Sequence, residues 1–380
     1  MRFHAVGALA LTLVLASAPA YALDWKDSYR AYAEAMQTGD RDAAVRHARE
    51  AWEGAQSALP PSENRALLAQ NYANLILLGD ASAATAPLED AEAMGEAGFG
   101  LASQPLPVTR FYLAMARSEA EPRNRRLVGA ARKAFDQVPE GTGYLNELVT
   151  LGTRLGLRLI EIGDPQDAQS LSRNLIARLH QSGEPDPARL LDLEGLALVG
   201  AVKSRPIQPS DRKPTNLRSA DSGTDRFVQQ LRESFAGFEK IRDLIPNPRS
   251  IDDFDPREAQ ALAWQAIVRS YLLRYTGEKE GGYDQEPIGL SSDRCPELTW
   301  LNDPLRIPRG NSGFNGGVIA GFHIDDEGRV YGERILAEVP QEQFSPFMLD
   351  QIGRIKVDLA SAPEGCRRDR VLTVTIYHDF

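Results

Sequence analysis

Val318-Ile319-Ala320-Gly321-Phe322-His323-Ile324-Asp325-Asp326-Glu327-Gly328-Arg329-Val330 is the stretch whose reading decides the fold. Val318, Ala320, Phe322 and Ile324 recur at every second position, Asp325-Asp326-Glu327-Gly328 supplies turn residues, and Val330 to Leu336 resumes in extended fashion. That alternation predicts a β-hairpin. Downstream, Phe344 to Ile355 predicts a helix with Phe347, Ile352 and Ile355 as apolar contacts. Val371, Leu372, Thr373, Val374, Thr375, Ile376 and Tyr377 alternate once more. The result is a β-β-α-β unit, a small antiparallel sheet with helices on one face.

Upstream the periodicity changes from two to that of a helix. Trp25, Tyr29, Tyr32 and Met36 recur at three- and four-residue spacing, as do Ala44, Val45, Ala48 and Trp52 after a break at Gly39-Asp40. Glycine suits the left-handed residue that ends a helix, and aspartate accepts from the first free amides of the next, so two antiparallel helices follow. The device returns at Gly79-Asp80 and Gly163-Asp164, each with an alanine four residues after the aspartate: Ala44, Ala84 and Ala168. A degenerate copy falls near Glu121-Pro122, between helix-like stretches at Phe111 to Ser118 and Leu127 to Phe135. Ala51 and Ala91 stand two turns beyond the first two repeat alanines, where small side chains permit close helix contact. An irregular all-α domain with incidental Gly-Asp turns is the alternative.

Beyond Leu190 the pattern loosens, and 203–225 is expected to be a mobile insertion. Its Lys203, Arg205, Arg212, Lys213 and Arg218 read as a solvated loop rather than a docking strip. Two more helices are expected, Phe227 to Ile245 and Pro256 to Tyr275, the second with Ala261, Trp264, Val268 and Leu272 on one face. The fold class is therefore α+β: an all-α helical-hairpin array over 23–276, a linker at 277–292, and a small antiparallel α/β sandwich over 293–380.

Two family resemblances attach to these residues. The helix-turn-helix units, with Leu155-Gly156 standing seven residues before Gly163, resemble tetratricopeptide repeats, although the period is nearer 40 than 34. The terminal stretch resembles the TonB C-terminal domain through Arg306-Ile307-Pro308, Gly316-Gly317, Val318 to Phe322, Ile324-Asp325-x-x-Gly328, Val330 to Leu336, the Phe344 segment and Val371 to Tyr377. That resemblance implies a periplasmic module whose last strand, Val371 to Tyr377, adds to a short segment of an outer-membrane receptor. A purely structural role for the strand is the alternative. The long proline-rich spacer of the family is replaced here by a helical array.

The first 22 residues have Arg2, an apolar run from Ala5 to Ala18 and then Ala20-Tyr21-Ala22, a signal-peptide pattern with cleavage expected after Ala22. An uncleaved inner-membrane anchor over 5–18 is the alternative; the run is shorter than the roughly 20 residues a span needs. With cleavage the mature chain is exported to the periplasm and spans no membrane. Cys295 and Cys366, an even pair in an oxidising compartment, read as a disulfide, with two buried thiols as the alternative.

A formal charge of −10 argues against non-specific binding to nucleic acid. His47, His180, His323 and His378 form no close metal-ligand pair, although His323 and His378 could be neighbours in the sheet, and the cysteines show no metal spacing. Glycines from Gly313 to Gly321 lead into a strand, whereas a phosphate-cradling loop leaves one and opens a helix. Asp252, Asp253 and Asp255 precede a helix, where capping explains them. No nucleophile and base pair emerges. The expectation is a non-enzymatic interaction protein with no cofactor, whose partner is a protein or peptide such as an outer-membrane receptor or periplasmic complex. A true energy transducer of the TonB type with an intact anchor is the second reading.

Overall fold

A computed structural model describes residues 25–141, 143–183, 185–205, 222–246, 250–276, 296, 298–302, 315–341 and 344–376. The expected signal peptide or anchor with Ala20 and Ala22, most of the expected 203–225 insertion, the expected 277–292 linker, Cys295, Arg306-Ile307-Pro308, Tyr377 and His378 lie outside them. The chain divides into two compact units, Met1–Ala120 and Glu121–Phe380.

The first unit holds α1 (Trp25–Thr38), α2 (Arg41–Ala58), α3 (Glu63–Leu77), α4 (Thr85–Met94) and α5 (Leu106–Ala120), each packed against the next in sequence. Gly39 has φ +74° and the Asp40 carboxylate accepts from the Ala43 amide at 3.0 Å, so this turn works as the sequence predicts. Gly79 differs. It is not among the left-handed glycines, because the Ile76 carbonyl accepts both the Gly79 and the Asp80 amides and the chain makes an extra turn before α4. Asp80 caps that extra turn through the Ala83 amide, and its bond from the Ser82 hydroxyl holds its carboxyl below the usual range. Ala44, Ala84, Ala51 and Ala91 are all buried, and Trp52 stacks on Tyr72 at 5.4 Å in the core they share with Ala51 and Ala91. The buried Asp90 carboxylate accepts from Trp52 Nε1 at 3.0 Å and from Arg65, tying α2, α3 and α4 together.

The second unit begins with α6 (Arg125–Phe135), α7 (Leu145–Glu161), α8 (Pro165–Gln181) and α9 (Pro187–Ser204). The break expected near Glu121-Pro122 separates α5 from α6, where Asn124 accepts from the Arg126 and Leu127 amides. Gly163 has φ +86° and Asp164 precedes α8, whose first residue is Pro165. Ala168 is fully buried. The loosening expected beyond Leu190 is a misreading. Leu190, Leu191, Leu193, Leu196, Ala197, Leu198 and Ala201 lie on several sides of α9, and all are buried. A helix surrounded by neighbours has no polar face to display a period.

Helices α10 (Ser222–Asp243) and α11 (Pro256–Thr276) match the two expected helices, but α9 ends at Ser204 and α10 begins at Ser222, so the insertion is narrower than 203–225. Asp255 caps α11, its carboxylate accepting from the Arg257 amide at 2.8 Å and pairing with the Arg257 guanidinium, which lowers its pKa. The terminal elements are β1 (Gly316–Ile324), β2 (Val330–Val339), α12 (Ser345–Ile352) and β3 (Arg370–Ile376). They form a three-stranded antiparallel sheet in the order β2-β1-β3. The α+β assignment follows.

Helices on one face of the sheet is the expectation that needs correcting. Val318, Ala320, Phe322, Ile324, Leu372 and Val374 pack with Phe344, Met348, Ile352 and Ile355 on one side. The opposite side rests on α11, where a Cβ at Gly317 would stand 2.3 Å from the Ala263 carbonyl oxygen. Ile319 and Val371 are accordingly fully buried as well. Asn315 fixes the entry to β1, its side-chain amide donating to Ser270 Oγ at 2.7 Å and its backbone amide to Tyr271 Oη at 3.4 Å. Phe347, expected as a core contact, is 37% exposed, because Met348 and Ile352 take the inward face of so short a helix.

Candidate functional site: the outer edge of the terminal sheet

The sheet has one central strand and two edges. Along β1 and β3 the pairing runs unbroken from Gly316↔Ile376 to Phe322↔Arg370. Between β1 and β2 it is interrupted twice, at Ile319/Ala320 and at Gly321/His323, and Gly332 of β2 has φ +63°. Such irregularities twist an edge away from regular pairing. The start of β2 is also crowded: Arg329 bridges Lys356, and the Val357 amide donates to the Gly328 carbonyl at 2.8 Å. Among the described residues no strand pairs with the outer side of β3.

The register sorts the side chains of β3. Leu372 and Val374 oppose Ala320 and Val318 and share the core beneath α12. Val371, Thr373 and Thr375 oppose Gly321, Ile319 and Gly317, the residues that face α11 and its approach. Thr373 Oγ1 is buried without a hydrogen-bond partner.

The approach to β3 is anchored to β1 and to the helices. The Ile324 amide donates to the Arg367 carbonyl at 2.7 Å, and the Asp369 amide donates to His323 Nδ1 at 3.1 Å. Asp369 has φ +55°, a conformation rare outside glycine, and its carboxylate accepts from the Ile251 amide at 3.0 Å. Arg367 pairs with Asp326 at 2.8 Å. On the other side of the module the buried Glu338, near the end of β2, accepts from the Phe344 and Ser345 amides and from the Ser345 hydroxyl, thereby capping α12 from a distance. Nothing in the sequence pattern around Glu338 signals this, since it is not the residue before the helix.

Of the expected site residues, Val371 through Ile376 form this edge and Tyr377 lies outside the described residues. Cys366 is buried in the turn Glu364–Cys366, and its expected partner Cys295 lies outside the described residues. His47 meets Glu50 at 2.9 Å on the α2 surface, and His323 packs beside Tyr331 with ring centroids 5.3 Å apart. Asp252 pairs with Arg334 at 2.8 Å. Among the described residues no group of three His, Cys, Asp or Glu side chains is arranged to hold a metal ion, and no helix is long and apolar enough to cross a membrane.

The strongest polar features missed by the sequence reading are buried carboxylates in the helices. Glu194 of α9 accepts from Arg173 at 2.7 and 2.8 Å, and Arg173 also donates to Ser234 Oγ at 2.9 Å. Burial nevertheless pushes Glu194 up, with Arg173 opposing the shift. Glu258 of α11 is raised for the same reason, although Arg242 lies 3.6 Å away. Polar letters inside apolar runs were the available signal. Comparison with known proteins finds no matching family model and no curated protein with significant similarity.

Proposed function

We propose that this is a non-enzymatic periplasmic interaction protein, in which the outer edge of β3 receives an extended segment of a protein partner. The single observation behind the reading is the uninterrupted seven-pair register that leaves β3 at a regular sheet edge, beside an irregular and partly covered β2. In edge addition the backbone supplies affinity and alternating side chains supply selection. The tetratricopeptide-like hairpins and the TonB C-terminal-like module belong to the same proposal, as do export after cleavage at Ala22 and an outer-membrane receptor or periplasmic complex as partner.

Truncating the module is a poor test, because it would uncover the side of α11 on which the sheet rests. A photo-crosslinking residue at Thr375, with a matched one at the exposed Glu34 of α1, tests the edge in intact cell envelopes. A discrete adduct from Thr375 that Glu34 does not give is expected. Equal adducts, or none from Thr375, would remove the edge-addition reading. Mass spectrometry of the same material should find Asp24 or its neighbour Leu23 near the mature N-terminus; an intact Met1 would overturn export by cleavage.

A further inference from the structure

The residue before β3 holds an unusual backbone conformation, and a histidine holds it there. Asp369 has φ +55°, a region that costs an aspartate more than a glycine. Two hydrogen bonds keep it in place. Its amide donates to His323 Nδ1 at 3.1 Å, and its carboxylate accepts from the Ile251 amide at 3.0 Å. His323 stands two residues beyond Gly321 on β1, and a Cβ at Gly321 would lie 3.2 Å from Ile251 Cγ2, so His323 and Ile251 share one face of the sheet.

The contact with Asp369 fixes the state of the imidazole. A backbone amide only donates, so Nδ1 carries a lone pair and the ring's proton sits on Nε2. Protonation puts an N–H on Nδ1, and two donors then meet. His323 is half-buried, within reach of solvent, and imidazoles change charge between about pH 5 and 8. From β2 the ring meets Tyr331, whose centroid is 5.3 Å away, and Gly332, where a Cβ would stand 3.1 Å from His323 Cδ2. Arg334 of β2 is paired with Asp252 at 2.8 Å, Asp253 accepts from Ser250 Oγ, and Arg368 is exposed. Arg370 opposes Phe322 and so belongs to the other face. The anion at hand for an imidazolium is the Asp369 carboxylate.

We propose that His323 and Asp369 form a pH-operated catch at the start of the edge strand. With His323 neutral, Asp369 is held and β3 begins in register at Arg370. With His323 protonated, the Asp369 amide loses its acceptor, and the carboxylate turns from the Ile251 amide to the imidazolium N–H. Asp369 then relaxes out of its left-handed conformation and the first residues of β3 loosen. This rests on the proposed edge addition and adds its regulation: the edge holds a partner at neutral pH and releases it in mild acid.

Amide hydrogen exchange in the full chain labelled with 15N-isoleucine reads the catch. Protection, corrected for the intrinsic pH dependence of exchange, is followed from about pH 7.5 to about pH 5 for Ile251, assigned through Ile251→Val, and for Ile319 of the central strand. Ile251 protection should fall about tenfold while Ile319 stays level, and the ring 15N shifts at neutral pH should place the His323 proton on Nε2. His323→Asn keeps an acceptor near the position of Nδ1 but takes up no proton, so it should hold Ile251 level. Glu194 and Glu258, whose carboxyls burial raises, are present in both chains, so the difference between the two belongs to His323. An unchanged Ile251, an equal fall at Ile319, a proton on Nδ1, or the same fall in His323→Asn would overturn the proposal. The wild-type measurements decide even where His323→Asn fails to fold. The Thr375 adduct should be lost in acid by the wild type and kept by His323→Asn, and a wild-type adduct undiminished in acid would overturn the regulatory role. No Thr375 adduct at any pH, alongside the fall at Ile251, would remove edge addition and leave the catch.

Discussion

Glu338→Ala should detach the beginning of α12 from the end of β2. In the structure one carboxylate, 7% exposed, satisfies the Phe344 and Ser345 amides and the Ser345 hydroxyl. Hydrogen bonds to a charged acceptor contribute about 1.5–3 kcal/mol each, and a lost helix cap costs about 0.5–2 kcal/mol. The three bonds share one group and are not additive, so about 2–4 kcal/mol is the expected loss. For a unit of this size that corresponds to a fall in Tm of very roughly 5–10 °C. Glu338→Gln keeps one acceptor oxygen but turns an amide donor toward donors, so it should lose about half as much. Ser345→Ala removes only the hydroxyl and should cost about 1 kcal/mol. Thermal and denaturant unfolding of the three variants and the Glu338→Ala/Ser345→Ala double variant supply the cycle. Equal stability of Glu338→Gln and the wild type, or strict additivity in the double variant, would refute distal capping.

Close approach of β1 to α11 predicts that Gly317→Ala lowers stability by about 1–3 kcal/mol, because backbone at Ala263 cannot give way as a side chain could. Gly129→Ala, in α6 with nothing within 4 Å of the new methyl, should instead raise stability by about 0.4–1 kcal/mol; a reversed order in denaturant melts would refute the packing. Glu258 is raised by burial, so the folded chain holds its proton more tightly than the unfolded chain, and this residue's contribution to stability declines as pH rises from the unfolded value through the folded one. The Tm of Glu258→Gln relative to wild type should therefore be higher at pH near 7 than at pH near 4.5, and the opposite trend would show that Arg242 outweighs burial. The proposed Cys295–Cys366 disulfide closes a loop of about 70 residues, so Cys295→Ser should cost up to about 4 kcal/mol, and identical melting before and after reduction would exclude the bond.

Where a residue's neighbours lie close in sequence, the sequence was a good guide. Gly39-Asp40 and Gly163-Asp164 mark real helix ends because a left-handed glycine is a local event, although of the two aspartates Asp40 caps the next helix through its side chain and Asp164 does not. The hairpin was equally legible, since Val318, Ala320, Phe322 and Ile324 report one buried face through period two. What escaped was set by distant contacts. Nothing near Gly317 states that α11 covers it, nothing near Gly321 states that Ile251 does, and α9 hides its helical period by being buried on many sides. Arg367, Arg368 and Arg370 are indistinguishable charges in the sequence, and only the tertiary structure separates the buried Arg370 from the exposed Arg368. The edge itself could be guessed from Val371 to Tyr377, but the contrast with β2 required the register.

The contact between Gly317 and Ala263 also orders events during synthesis. A chain made from its N-terminus presents α11 before β1, β2 and β3 exist. Until then the side of the helix around Ala263 lacks the strands that cover it in the folded chain. Nascent chains in that condition are vulnerable to aggregation. A premature stop codon anywhere in the terminal strands is therefore expected to be lost to quality control as a whole protein, rather than to leave behind a working array of helices.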